Sequence, residues 1–292
     1  MKKMSQILVT IVIATVVAFG VAEYIDTSRI DQKVVSTETT YAHVMRTHIL
    51  RCAYIVYPPE MIKDPNTGKL TGTIPDMMTE VGKQLGWNIE WTAEVGFADM
   101  FEGFKTGKYD ALCSGLWRNP DRAKKGLFTI PTNYGIYYAI VRKDDHRFDN
   151  NLTAINDPKV RISIIDGEYG DFVAKESFPA AQTVRLPQLS DASMLLENVA
   201  TGKADVVFFQ IAAASKFMQN NPDKLKIIDS RPVRVMPAPA VVVPVGEHDL
   251  KDVLDAAFEF MLNNGAIEKI LRHYDPELKS YNLVAKPYEV TK

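Results

Sequence analysis

The chain has only two cysteines, no run of lysine and arginine longer than short pairs such as Lys124–Lys125, and five scattered histidines: His43, His48, His146, His248 and His273. The first scarcity excludes a disulfide-dense scaffold, and the second, with a formal net charge of −2, argues against nucleic acid as a partner. Nowhere does the sequence read G-x-S-x-G, H-E-x-x-H, C-x-x-C or a Gly-rich phosphate loop. The common hydrolase, zinc and nucleotide signatures are therefore missing, and we expect no catalytic residues, no metal and no cofactor. DDHRFD at 144–149 is acidic enough to suggest a cation, but it follows an extended apolar segment and reads as a solvated linker.

What is present begins with a transport segment. Lys2 and Lys3 precede the uncharged run ILVTIVIATVVAFGVA, which ends in small residues, the pattern of a secretory signal over residues 1–22. Cleavage after Ala22 competes with an uncleaved anchor, because the run approaches the ~17 residues that just span a bilayer. Either way the body is exported to a periplasmic or other extracytoplasmic space. Residues 23–47 are rich in Ser and Thr with weak periodicity, and read as a tether or a short leading helix. In an exported protein Cys52 and Cys113 invite a disulfide; both fall in expected buried strands, where they either bridge as neighbours or remain buried thiols.

From Leu50 onward strands and helices alternate. LRCAYIVY is a strand; IPDMMTEVGKQLG is a helix with Pro75 in its first turn and Gly86 at its stop; NIEWTAEV, the helix FADMFEGFKTG and the strand YDALCSG follow. The pattern returns as VRISIIDG, YGDFVAKESF, QTVRLPQ, SDASMLLENVATG and ADVVFFQ, then IAAASKFMQNN and KLKIID. TGKYD at 106–110 and TGKAD at 201–205 mark the same helix stop and strand start in each half. The expectation is an α/β protein of two lobes, each with a parallel sheet covered on both faces. Lobe 1 spans 48–138 plus 243–292 and lobe 2 spans 139–242, with YGIYYAIVRK and PAPAVVVPVG as two crossing hinge strands. Ligands of open parallel sheets sit beyond the carboxyl ends of the strands, so two facing sheets make a cleft for a small molecule.

Seven stretches in order, RCAYIVYPP, GKLTGTIPDMMTEVGKQLG, F-x₆-FKTGKYDALCSG, NPDRAKKGLFTIP, VRISIIDGEYG, TGKADVVFFQ and NNGAIEKILRHYDP, resemble the family 3 bacterial extracellular solute-binding proteins. The likeness runs from about Leu50 to Asp275. It implies the type II periplasmic binding fold, a small carboxylated solute between the lobes, an ABC permease in the inner membrane as partner, and a monomer. Two other functions fit the same fold: a cyclohexadienyl-dehydratase-like enzyme using Glu168 or Glu60 as an acid, and a membrane-tethered sensor.

Candidate site residues follow. Asn119, Pro120 and Asp121 suit a helix start, where Arg122 faces an unfavourable dipole unless an anion joins it. A guanidinium grips a carboxylate through two parallel hydrogen bonds, and the resemblance gives Arg122 the solute's α-carboxylate. It also implies that Ser114 and Gly115 help hold that group and that Tyr57 and Phe97 pack on the solute. In the second lobe the Gly167 loop amides and Tyr169 are expected at the cleft, and Glu168 is either a carboxylate for the solute or a first-turn glutamate favoured by the helix dipole. The family usually carries an acid for the α-ammonium where this chain has Gln210, and a neutral amide cannot offset a positive charge. Trp117 either narrows the pocket or stacks on a flat solute, or has a structural role between lobe and hinge. Glu60 stands where an apolar residue is commoner and either meets the solute or faces water, and Arg118 is expected at the surface.

Overall fold

Strand and helix alternate from the first described turn of the chain. The computed structural model describes residues 38–229 and 231–284. The signal or anchor segment, and the expected tether as far as residue 37, lie outside the described residues. Helix α1 (Thr40–Thr47) leads into β1 (Ile49–Tyr54), the small hairpin β2 (Ile62–Lys63) and β3 (Leu70–Thr71), then α2 (Thr73–Leu85) and β4 (Asn88–Glu94). Gly86 ends α2 in the left-handed region (φ 69°) and returns its N–H to Gly82, as its place after the last apolar position requires.

The next helix is shorter than its sequence suggests. Residues 97–101 are tight turns with i to i+3 bonds such as Glu102 N–H to Asp99 O, and only α3 (Glu102–Thr106) is helical. Asp99 accepts from Gly96 N–H, and the Gln188 side chain accepts from Ala98 and Asp99 N–H, so this segment is shaped by contacts outside itself. The chain continues as β5 (Ala111–Cys113), α4 (Pro120–Ala123), β6 (Gly126–Phe128) and the long β7 (Pro131–Arg142). After a 3-10 turn at Leu152–Ile155 come β8 (Arg161–Ile165), α5 (Tyr169–Ser177), β9 (Gln182–Leu186), α6 (Ser193–Ala200), β10 (Val206–Gln210), α7 (Ile211–Asn220) and β11 (Leu225–Ile227). The return runs through β12 (Arg234–Pro239) and β13 (Val241–Pro244) to α8 (His248–Asn263), α9 (Ala266–Tyr274) and β14 (Tyr281–Leu283).

Two sheets result, ordered β4-β1-β5-β13-β6 and β11-β7-β10-β8-β9, with β12 and β14 also on β7. They are mixed rather than parallel. Strands joined through helices, β4-β1-β5 and β9-β8-β10, are parallel, whereas β13 runs antiparallel to β5 and β6, and β7 antiparallel to β10, β11, β12 and β14. The physical reason is connectivity: a chain that returns from the other sheet needs no helical crossover and meets its neighbour head to tail. The C-terminal β14 pairs with β7, so the last described residues lie on the second sheet and not with the first lobe's strands.

Each sheet buries both faces. The first packs Met77, Met78 and Val81 of α2 with Leu254, Phe258 and Leu271 on one side, and Met100, Phe101 and Leu116 on the other. β10, buried along its whole length, is the centre of the second core. Cys52 and Cys113 form a disulfide between neighbouring β1 and β5, Cα atoms 5.5 Å apart. Asp145 is not in a solvated linker: it is 8% exposed and accepts from Arg147 and Arg142 beside Asp205. Among the described residues no helix is long and apolar enough to cross a membrane.

Candidate functional site

The site is assembled where the strands of both sheets end. Beyond β1, Tyr57 and Met61 exchange backbone hydrogen bonds (2.9 and 3.0 Å) around the turn that holds Pro58, Pro59 and Glu60. The Pro58–Pro59 bond is cis. Glu60 O accepts Ile74 N–H at the start of α2, and a Cβ on Gly72 (φ 126°) would stand 2.4 Å from that oxygen, so only glycine lets the turn dock this closely. The docked turn carries the Glu60 side chain into the interior, 7% exposed. Gly115, beyond β5, makes room for it: a Cβ there would lie 2.4 Å from Glu60 Oε2.

Asn119 caps α4 as its position suggests, Oδ1 accepting Arg122 N–H at 2.7 Å. Arg122 is buried, its guanidinium 4.1 Å above the Trp117 ring. Its N–H groups reach the carbonyls of Trp117 (3.1 Å) and, across the cleft, Gly167 (2.9 Å). Two of its five donors are thus used and it forms no ion pair within 4 Å among the described residues. Gly167 has φ 78°, and a Cβ there would stand 3.0 Å from the backbone at Phe97 and Ala98, so the loop touches the first lobe. Glu168 caps α5, Oε2 accepting Gly170 N–H at 2.6 Å. Gln210, ending β10, donates from Nε2 to Glu60 Oε1 at 2.8 Å, a second contact between the lobes.

Burial dominates the electrostatics. It pushes Glu60 up to about 7 against the hydrogen bond from Gln210. It pushes Glu168 up to about 7 as well, opposed by the N–H groups of Gly170 and Tyr169 and by the charge of Arg122. The same effect lowers Arg122 to about 10, with Glu168 acting against it. Burial also raises the Tyr57 and Tyr137 hydroxyls well above their usual range.

These groups surround a narrow cavity of about 10 Å³, room for roughly one water. Of the residues singled out from sequence, Tyr57, Phe97, Ser114, Gly115, Trp117, Glu168 and Gln210 line it. Arg122, Gly167 and Tyr169 stand just behind: Arg122 against Trp117 and Gly167, and Tyr169 with its ring 5.0 Å from Trp117 and 4.3 Å from Tyr137. Arg118 is exposed. Tyr137 and Glu60 also line the cavity. Tyr137 belongs to a crossing strand, and its signal in the sequence is the run of aromatics in YGIYY, where the strand passes between the sheets. Glu60 faces the cavity, which settles its orientation away from water. At the cleft's mouth, Gln188 of the second lobe binds the first through Ala98 N–H (3.0 Å), Asp99 N–H (3.2 Å) and Asp99 Oδ2 (3.0 Å).

Two α/β lobes on antiparallel hinge strands, closing over a charged cavity, define a small-molecule binding protein of the periplasmic type II fold. Residues 50–277 match the bacterial extracellular solute-binding proteins, family 3, and the chain belongs to that family. It is 27% identical over 167 residues to ABC transporter arginine-binding protein 1 of Escherichia coli (strain K12), covering 57% of this chain and 64% of that relative, just under two thirds of its length. It is 24% identical over 215 residues to a probable amino-acid ABC transporter-binding protein of Haemophilus influenzae, covering 73% and 79%. The crystal structure of the ancestral amino acid-binding protein AncCDT-1, a precursor of cyclohexadienyl dehydratase, has the same fold at a TM-score of 0.71, with 22% identity over 81% of this chain and 99% of that one.

Proposed function

We propose that this protein is the extracytoplasmic solute receptor of an ABC importer and that it closes on an amino acid or a related carboxylated solute. The single observation that carries the reading is Arg122: a buried guanidinium at the junction of the lobes, bonded to carbonyls of both and paired with no acid among the described residues. A buried cation in that state is stabilised by an anion brought from outside, and three free N–H donors remain to take a carboxylate. Ser114 and Gly115 lie alongside at the end of β5, and Trp117, Tyr57 and Phe97 supply apolar walls. The second lobe adds the Gly167 loop with Glu168 and Tyr169, and Gln210 from β10. The relatives named for arginine and amino acids support this class of solute. The permease of the importer reads the closed shape, which juxtaposes surfaces of both lobes. Export by residues 1–22, cleaved or kept as an anchor, places the receptor outside the cytoplasm.

The test is a thermal-shift screen of the purified chain against amino acids, organic acids and amines, with Arg122→Ala in parallel. A solute at 100 times its dissociation constant adds about 2.7 kcal/mol of stability. The reading requires at least one carboxylate-bearing hit that disappears in the variant; hits indifferent to Arg122, or none among the acids, would overturn it.

A second reading has its own support. Glu60 and Glu168 are buried carboxyls held near 7, suited to giving up a proton near neutral pH, and one relative in fold is named as a dehydratase precursor. Dehydration of prephenate or arogenate that is abolished by Glu168→Gln or Glu60→Gln would make the protein an enzyme. No turnover leaves it a receptor.

A further inference from the structure

We propose that Glu60 is the counter-charge for a cationic group of the solute, and that the closed cleft selects amino acids of net positive charge. This rests on the receptor reading above and narrows it.

Of Arg122, Glu168 and Glu60, the buried charged groups at the cavity, Glu60 has the least support. Arg122 has two carbonyls and an indole face; Glu168 caps a helix and lies in the field of Arg122. Glu60 has one amide, Gln210 Nε2 at 2.8 Å, and no ion pair among the described residues. Burying a carboxylate on those terms is costly unless a cation arrives. Yet the fold makes space for it, since Gly115 and Gly72 both lack the Cβ that would displace the Glu60 carboxylate or its backbone. The resemblance placed the solute's acid partner at position 210. Here an acid comes instead from the opposite lobe, and Gln210 holds it in place.

A second observation is independent of Glu60. The Tyr57 hydroxyl, in the same cavity, is buried and has no hydrogen-bond partner. With Gln210 Nε2 committed to Glu60, the cavity holds the Glu60 and Glu168 carboxylates and the Gln210 carbonyl, which only accept, and the hydroxyls of Tyr57, Tyr137 and Ser114, which donate or accept. An ammonium brings three donors and a guanidinium five, and neither brings an acceptor. Charge balance points the same way. Once a bound cation ionises both carboxyls, Arg122 set against them leaves one negative charge, which a solute with one carboxylate and two cationic groups neutralises.

Calorimetric titration of the purified full chain with L-lysine, L-arginine, L-glutamine and L-glutamate, on wild type and Glu60→Gln, tests this. We expect lysine or arginine to bind at least about tenfold more tightly than glutamine, and glutamate most weakly. Glu60→Gln should weaken the cationic solute by about 100-fold while leaving glutamine within a few-fold, so that the ranking by charge collapses. A loss equal for all solutes would mean a structural role and would overturn the proposal. So would a wild type that prefers glutamine or glutamate, although the receptor reading survives both results. If none of the four, nor any acid in the wider screen, binds wild type, both readings fall. A variant that melts at or above wild type shows that any loss is not unfolding; if it melts lower, the charge ranking of wild type alone decides.

Discussion

Asp110 and Asp205 hold the same post in the two lobes. Each follows a T-G-K turn and precedes a buried strand, and each accepts from the backbone and side chain of an arginine at the start of its lobe's first strand. Asp110 binds Arg51 N, Nε and Nη2 at 2.9, 3.0 and 2.7 Å; Asp205 binds Arg161 N and Nε, both at 3.0 Å. The lobes differ in what is added to this common lock. The first is stapled by the Cys52–Cys113 disulfide between the locked strand and its neighbour. The second has no cysteine and instead gathers Arg142, Arg147 and Asp145 around Asp205. Burial pushes Asp205 up, but the hydrogen bonds from Arg161, Arg147 and Arg142 outweigh it and hold the carboxyl well below its usual range. The same chain pattern has thus been reinforced covalently on one side of the cleft and ionically on the other.

The largest effect should come from removing the staple. Replacing Cys52 and Cys113 together by Ala opens a 61-residue loop in the unfolded chain and should cost about 4 kcal/mol in urea unfolding, with exchange protection lost first around β1 and β5. An equal loss of protection around β8 and β10 would show that the lobes do not unfold separately. Asp205→Asn should cost about 2–3 kcal/mol, since a buried group with several charged donors loses its charge while its arginines stay half-exposed. Because the native carboxyl is depressed, its contribution is present above the ordinary value of 3.8 and is lost as pH falls toward the native value. The variant should therefore lose its deficit in acid, and a deficit unchanged down to pH 3 would contradict the pairing.

The cleft between the lobes should respond with the opposite sign. Glu60 and Glu168 are raised from 4.5 to about 7 in the folded chain. Between those values the unfolded chain has released a proton that the folded chain keeps, so unliganded stability falls as pH rises from about 5 to 7.5. Glu60→Gln removes one of the two contributions and should raise stability at pH 8 by roughly 1–3 kcal/mol. A variant less stable than wild type at that pH would argue that Glu60 is paired after all. The smallest effect belongs to Gln188→Ala, which removes hydrogen bonds that exist only when the lobes meet. Unfolding should change by less than about 1 kcal/mol, while solute affinity drops by up to about tenfold because the closed state is less populated. Affinity unchanged within twofold would exclude a latch at the mouth.

Much of this arrangement was legible in the residues. Gly86 and Gly107 stop their helices in the left-handed region, Asn119 caps the helix that presents Arg122, and the twofold strand and helix pattern places both sheet ends at one cleft. These are local matters of backbone conformation and periodicity, which a sequence displays. What it did not display depends on contacts between distant segments. The direction of β7 and β13 follows from the chain's return across the hinge. Asp145 looked solvated because Arg142, Arg147 and Asp205, which bury it, arrive from separate stretches. Glu60 is left open between cleft and water by the sequence, and the docking of its turn on Gly72 fixes its direction; Arg122 is marked for a carboxylate by its helix start, while its bond to Gly167 crosses 45 residues of chain.

The cavity has room for roughly one water, so a solute enters only if the lobes part and is held only if they close again. Small-angle scattering of the purified chain, alone and saturated with the solute found in the screen, tests that directly. The account predicts a larger radius of gyration without solute than this closed structure has, and a fall to the closed value on binding. Equal radii in both states would contradict closure of the two lobes over a shared ligand.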